Sequence, residues 1–311
     1  MDSTRQPVLM VFVDGLGIGP DGPANPVARP GLRVLSLLDK LRRWGPFDVD
    51  HFVATRLDAT LGVPGIPQSG TGQTTLLTGV NAAELLGRHL NGFPNRRLRQ
   101  LIAAESVFVQ LARCGLLANF ANAFTPEFFP ALEEERLSVT TWSTLAAGRP
   151  LRSLQELRDG RAVYQDFTNL HLQMRGYDIP MRRPEEAGMV LAGMAAFQDF
   201  LLYEYFITDF AGHAGDPAFA GHVIDLLDRF LESVLEHADL DRLTVLLTSD
   251  HGNIEDLSVK PHTLNPVPLI AWGPGAHAVT HGATSLADVV PAILSWLTRP
   301  AIPALPDPEP Q

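Results

Sequence analysis

The sequence predicts an α/β protein built on a mostly parallel sheet with helices on both faces. Short apolar runs alternate with segments of helical period along the chain, the signature of repeated strand–helix units. Three runs are followed by an aspartate, Asp14, Asp209 and Asp250, and in such sheets functional groups gather beyond the carboxyl ends of the strands. The 311 residues, 45% hydrophobic and 19% charged, also supply enough apolar material for a large core.

Taken in order, Val8–Val13 (VLMVFV) reads as a buried strand ending in Asp14-Gly15. A Gly- and Pro-dense loop follows to Pro30, then a helix from about Leu32 to Arg43. Leu76–Leu86 suits a helix that begins near Ser69, Val107–Ala112 another helix, and Leu116–Phe124 a strand. Leu201–Thr208 (LLYEYFIT) is read as a strand delivering Asp209. Phe219–His237 places Val223, Leu226, Leu227, Phe230, Val234 and Leu235 on one helical side. Leu243–Thr248 is a strand delivering Asp250 and His251, Val267–Trp272 a further strand, and Ala287–Leu297 a closing helix.

The expected core comprises residues 1–83 and 199–311. Residues 84–198 are expected to be partly core and partly an inserted lobe, the lid covering about 126–183 and including the acidic run Glu133–Glu135. Residues 300–311 carry five prolines in twelve positions and read as an extended, mobile tail.

A formal net charge of −11, with 35 acidic against 24 basic residues, argues against nucleic acid as a partner. The single cysteine, Cys114, excludes an intramolecular disulfide and a Cys-rich zinc site, and reads as a small buried hydrophobe. Met1–Gln6 is polar, the following apolar run is too short for a signal-peptide core, and no stretch reaches the roughly 18–20 apolar residues of a membrane span. A cytoplasmic soluble protein is the expectation.

The chemistry concentrates in three segments. Asp209 and His213 stand four residues apart in TDFAGHAGD, Asp250 and His251 are adjacent in TSDHGN, and His262 follows in PHTLNPVP. With Asp14 these make three carboxylates and three imidazoles, a donor set suited to Zn²⁺ or Mn²⁺. Each piece alone has an ordinary explanation, a surface pair or turn chemistry. Six placed after separate strands of one sheet do not. GIPQSGTGQTTLLTG (Gly65–Gly79) sets Ser69 and Thr71 among glycines before a helix. That arrangement suits a phosphoryl group, although taken alone it is the common pattern of a simple N-cap.

VDGLGIG, PQSGTGQ, DFAGHAG, TSDHGN and HTLNPVPLI together resemble the alkaline phosphatase superfamily, within it the branch of cofactor-independent phosphoglycerate mutase and phosphopentomutase. The resemblance implies a three-layer sandwich with a small inserted lobe. It implies one ion held by Asp209, His213 and His262, and another by Asp14, Asp250 and His251 with the Ser69 hydroxyl. Ser69 is the implied nucleophile and Thr71 the fallback.

The sequence departs from that branch at three places. Gln73 stands where the mutase loop carries histidine, and the middle region is smaller. The stretch Gly160–Thr168, similar to one that closely follows the mutase nucleophile, lies about ninety residues after Ser69. No Cys/Ser-x-Pro-x-Arg sulfatase pattern surrounds Ser69. Arg88 and Gln73 are candidates for substrate contact, while Arg96, Arg97 and Arg99 read as a solvated helix face. His51, His171 and His277 read as structural, His222 and His237 as helix-surface residues, Asp216 as a loop or cap residue, and His281 as a loop residue near the final helix.

The expected activity is a phosphomonoester hydrolase acting on a small phosphorylated metabolite with two divalent ions, Mn²⁺ or Zn²⁺, through phosphoserine. The alternatives are a phosphomutase on phosphoglycerate or a sugar phosphate, and a catalytically inert binding protein of the same fold. Neither a nucleic-acid nor a membrane partner is expected, and the oligomeric state is left open.

Overall fold

A computed structural model describes residues 6–49, 52–129 and 136–299. The expected tail at 300–311, His51 and the acidic run Glu133–Glu135 lie outside the described residues.

Nine strands are present among the described residues: β1 Val8–Val13, β2 Phe47–Val49, β3 Phe52–Leu57, β4 Ala118–Phe120, β5 Ala123–Phe124, β6 Arg152–Ser153, β7 Phe200–Tyr205, β8 Thr244–Thr248 and β9 Val267–Trp272. Seven form the central sheet in the order β2-β3-β9-β8-β1-β7-β4, and β5 pairs with β6 in a small second sheet. β8, β1, β7 and β4 run parallel; β9 is antiparallel to β8 and to β3, and β2 is antiparallel to β3.

Successive side chains of a strand point to opposite faces, and β1 shows the consequence. Leu9, Val11 and Val13 enter one core with Leu38, Leu191 and Ile224, while Val8, Met10 and Phe12 enter the other with Leu76, Ile102 and Ile293. The first core is closed by the helices Ser36–Trp44, Pro184–Ala195 and Pro217–His237, and the second by Ser69–Thr78, Arg96–Glu105, Val139–Ala146 and Val289–Leu297. A sheet between two helical layers is the three-layer α/β architecture the sequence predicts. Among the described residues no helix is long and apolar enough to cross a membrane.

Several elements differ from the sequence reading. The run LLYEYFIT is not one strand: β7 ends at Tyr205 and Ile207–Ala214 is a helix, so Asp209 sits on a helical first turn. Burial on both sides gives a strand and a short helix the same apolar composition, which hides the switch. Leu116–Phe124 divides into β4 and β5 in different sheets. The expected helix from Ser69 to Leu86 breaks at Gly79, which adopts φ 74 and caps Ser69–Thr78 before Ala82–Leu86 begins. The hairpin β2–β3 was not anticipated. Cys114 is exposed at a helix C-cap rather than buried.

Within 126–183, Val139 and Leu151 join the second core, whereas Leu154, Leu157, Tyr164, Leu172 and Ile179 form a small separate cluster with Ala123. Through this cluster the middle of the chain is packed beside the carboxyl edge of the sheet.

Candidate active site

β1, β7 and β8 run the same way, so the residues that follow them emerge at one edge of the sheet. β9 runs oppositely, and the segment before it, which carries His262, meets them there. Asp14 follows β1 directly, with its backbone N–H donating to Tyr205 O at 2.9 Å. Asp209 and His213 share one face of the helix Ile207–Ala214 through their i, i+4 spacing. Asp250 and His251 follow β8 and are fully buried. Ser69 opens the helix Ser69–Thr78, whose Gly72 packs so closely that a Cβ there would stand 2.8 Å from Asp250 O.

These side chains converge. Among the described residues two overlapping groups offer ligand atoms within 4.8 Å of one another, Asp209 with His251 and His262, and Asp14 with Asp250 and His251. His213 Nε2 lies 3.1 Å from His262 Nε2 and 3.4 Å from Asp209 Oδ2, closing the first group from the solvent side. His262 Nε2 is 3.5 Å from Asp209 Oδ1. In the second group His251 Nε2 lies 3.2 Å from Asp14 Oδ1, 3.5 Å from Asp250 Oδ2 and 2.9 Å from Ser69 Oγ.

Ligands bonded at about 2.0–2.1 Å to one tetrahedral ion stand roughly 3.3–3.4 Å apart. The observed separations bracket that value. Both oxygens of Asp250 and Oδ1 of Asp14 are buried without a hydrogen-bond partner. Such orphaned acceptors call for a cation. The donor set therefore fits a divalent-metal centre.

The electrostatics agree. Burial raises the Asp14 carboxyl well above the usual carboxylate range, and the charges of Asp250 and Asp209 add to it. Asp250 is raised by burial and by Asp209. Burial and the neighbouring His262 hold His251 well below the ordinary imidazole range, and burial lowers His262. The imidazoles are thus neutral donors, stacked at 3.8 Å between the His251 and His262 rings.

Supporting contacts fix the ligands. His262 Nδ1 lies 2.9 Å from Pro67 O, which orients Nε2 toward Asp209. Gln73, where the sequence departs from the mutase pattern, is buried and donates through Nε2 to Asp14 Oδ2 at 3.0 Å. Thr71 is also buried; its hydroxyl donates to Gln68 O and accepts from Leu90 N, and so serves the loop. Arg88 is exposed and does not line the cleft above Ser69. Asp216 caps Pro217–His237, His222 and His237 are exposed on that helix, and His281 is exposed beside His277.

Three residues of this region were not singled out from the sequence. Glu255 is fully buried; Oε2 accepts from the N–H of Gly17 and Asn253, and Oε1 accepts from the Thr263 hydroxyl and Asn265 Nδ2. It ties together the loops carrying Asp14, His251 and His262. Asn253 donates through Nδ2 to Asp209 Oδ1 at 2.6 Å and Asp209 O at 3.1 Å. Glu204 lines the cleft from β7, accepts from Thr140 Oγ1 at 2.7 Å, and is pushed up to about 7 by burial. Glu204 had a visible signal, a lone carboxylate inside an apolar strand. Glu255 had none.

Residues 181–300 match the family model of the metalloenzyme superfamily. Over 113 residues the chain is 34% identical to the 2,3-bisphosphoglycerate-independent phosphoglycerate mutase of Desulforudis audaxviator, a match covering 34% of this chain and 22% of that protein. Over 132 residues it is 31% identical to the same enzyme of Wolinella succinogenes, covering 40% and 26% respectively. The matched segments thus span about a quarter of the length of these relatives. Among solved structures, the PH0037 protein of Pyrococcus horikoshii superposes with TM-score 0.58 at 16% identity, covering 95% of this chain and 98% of that one. A cold-active alkaline phosphatase from Shewanella sp. superposes with TM-score 0.51 at 11% identity, covering 93% and 100%.

Proposed function

From a chain whose residues 181–300 match the model of the metalloenzyme superfamily and whose fold is alkaline-phosphatase-like, we propose a metal-dependent phosphoryl-transfer enzyme that hydrolyses a small phosphomonoester through phosphoserine at Ser69. Asp209, His213 and His262 would hold one divalent ion, and Asp14, Asp250, His251 and the Ser69 hydroxyl the other. Bound there, Zn²⁺ or Mn²⁺ supplies Lewis acidity that acidifies a hydroxyl or water and offsets phosphoryl charge.

The chain's own residues set the geometry. Ser69 Oγ gives up its proton to solvent and attacks phosphorus in line, so the Oγ–P bond forms as the P–O bond to the alcohol breaks, and the alcohol leaves with a proton taken from water. A water molecule then attacks the phosphoserine, the P–Oγ bond breaks, phosphate departs and Ser69 regains its proton. The N-terminus of the helix Ser69–Thr78 presents its positive end to the phosphoryl group. Gln73 keeps Asp14 turned toward His251. The small cluster around Leu154–Ile179 is the proposed lid, reaching the cleft through Gln165.

The observation that carries this reading is the Ser69 hydroxyl 2.9 Å from His251, within both the ligand cluster and the cleft. Initial rates on an aryl phosphate with added Mn²⁺ or Zn²⁺, wild type against Ser69→Ala, test it: metal-dependent phosphate release lost in the variant is expected, and retention refutes the assignment.

The phosphomutase reading draws on the relatives, which carry that name over the matched segment. Solvent access favours hydrolysis, since the His213 side chain, at the edge of the cluster, is 46% exposed. Isomerised product without free phosphate would reverse that preference. The inert reading predicts negligible divalent metal after reconstitution. The cytoplasm is the proposed location, and a small phosphorylated metabolite the proposed substrate.

A further inference from the structure

The cleft above Ser69 encloses about 420 Å³, room for a ring-sized group beyond the phosphoryl position. Its walls and rim carry five phenylalanines. Phe120, Phe124 and Phe206 line it, and Phe93 and Phe210 stand at its edge, 52% and 61% exposed. Phe210 follows the proposed metal ligand Asp209 on the same helix, with its ring 5.8 Å from that of Phe206. The Phe120 and Phe124 rings are 6.1 Å apart on the adjoining wall. Large apolar side chains left exposed around a concave site mark a binding surface.

What the cleft lacks matters as much. Among the described residues lining it there is no lysine, arginine or histidine, whereas Asp14, Asp209 and Glu204 are all there. Arg88, Arg96 and Arg97 are exposed and outside the lining. Away from the proposed ions, a carboxylate or second phosphate on the substrate would lose its water against phenyl rings and Glu204, with no side-chain cation among the lining residues to pair with. The uncharged amides of Asn91 and Gln165 are available to hydroxyl or carbonyl groups.

We infer that the aromatic cleft beside Ser69 selects phosphomonoesters whose alcohol part is uncharged and apolar, an aromatic ring above all, and rejects those bearing a second anionic group such as phosphoglycerate. This inference rests on the phosphoryl-transfer reading above and narrows its substrate.

Benzyl phosphate and phosphoglycerate are both esters of poorly leaving alcohols, so their comparison reads the pocket rather than the leaving group. With Mn²⁺-loaded protein, kcat/KM for benzyl phosphate should exceed that for phosphoglycerate by about a hundredfold or more. Phe210→Ala, at an exposed position, should raise KM for benzyl phosphate about fivefold or more. Phe210→Lys supplies the missing cation and should shift the ratio toward phosphoglycerate about tenfold. Calorimetric binding of both esters to metal-loaded Ser69→Ala reads the same preference without turnover. Preferential binding of benzyl phosphate there sustains the inference even if the wild type turns over neither ester, an outcome that defeats only the hydrolase reading. Equal or tighter binding of phosphoglycerate, or its faster conversion, overturns the inference.

Discussion

Ser69 Oγ stands 2.9 Å from His251 Nε2, the same nitrogen that lies 3.2 Å from Asp14 Oδ1. One buried imidazole thereby joins a hydroxyl at a helix N-terminus to a carboxylate at a strand end 55 positions earlier in the chain. The helix Ser69–Thr78 brings the first, β1 the second and β8 the imidazole, so the relationship exists only in the folded sheet.

Removing the hydroxyl should abolish chemistry and little else. Ser69→Ala is expected to lower metal-dependent phosphatase turnover by about a thousandfold or more, because the covalent route is lost. Its unfolding free energy should stay within about 0.5 kcal/mol of wild type, as read by urea denaturation of the metal-free proteins.

Asp250 should change sign with metal. In chelator-treated protein Asp250→Asn removes a buried carboxyl whose ionised form burial and Asp209 disfavour, so the variant should melt at an equal or higher temperature. With Mn²⁺ or Zn²⁺ it should bind about one ion fewer and lose activity about a hundredfold or more. Melting scans with and without metal, together with metal analysis, check both halves.

Glu204 gives a pH signature. Its carboxyl, at 4.5 when unfolded and pushed up to about 7 by burial, holds its proton more tightly in the folded chain. Below pH 4.5 both states are protonated and the group is neutral toward stability. As pH rises through the window to about 7 the unfolded chain ionises first, and the folded state falls behind by about 3 kcal/mol. Glu204→Gln, which can still accept from Thr140, should therefore be more stable than wild type at pH 8 in metal-free protein. The advantage should shrink toward zero by about pH 4–5. A pH series of urea midpoints for the two proteins reads the difference.

Glu255 should behave as a structural tie. Glu255→Ala leaves the N–H groups of Gly17 and Asn253, the Thr263 hydroxyl and the Asn265 amide without their acceptor. A loss of about 3 kcal/mol or more in unfolding free energy is expected. Metal affinity should weaken as well, because the loops bearing Asp14, His251 and His262 come apart. Urea denaturation and a metal titration measure the two effects separately.

Of the sheet strands, β1, β8 and β9 were legible because they are short, nearly continuous apolar runs, and Asp14 and Asp250 because they follow such runs closely. The Asp209 helix was not, since Phe206 and Ile207 continue the apolar character of β7 and periodicity over so few residues cannot separate a strand from a helical turn. The pairing of β3 with β9 depends on contacts more than 200 positions apart, which no local pattern encodes. Glu255 looks like any surface acid in sequence; only the meeting of three loops makes it a hub. Arg88 shows the converse, a cation plausible by position that the folded chain turns to solvent.

The central claim is that phosphoryl groups pass through Ser69, and rapid acid quenching of the metal-loaded enzyme during turnover tests it most directly. Peptide mass analysis should find phosphate on Ser69 in the Mn²⁺- or Zn²⁺-loaded protein and none after chelation. Turnover with Ser69 unmodified, or with the phosphate on Thr71, would contradict it.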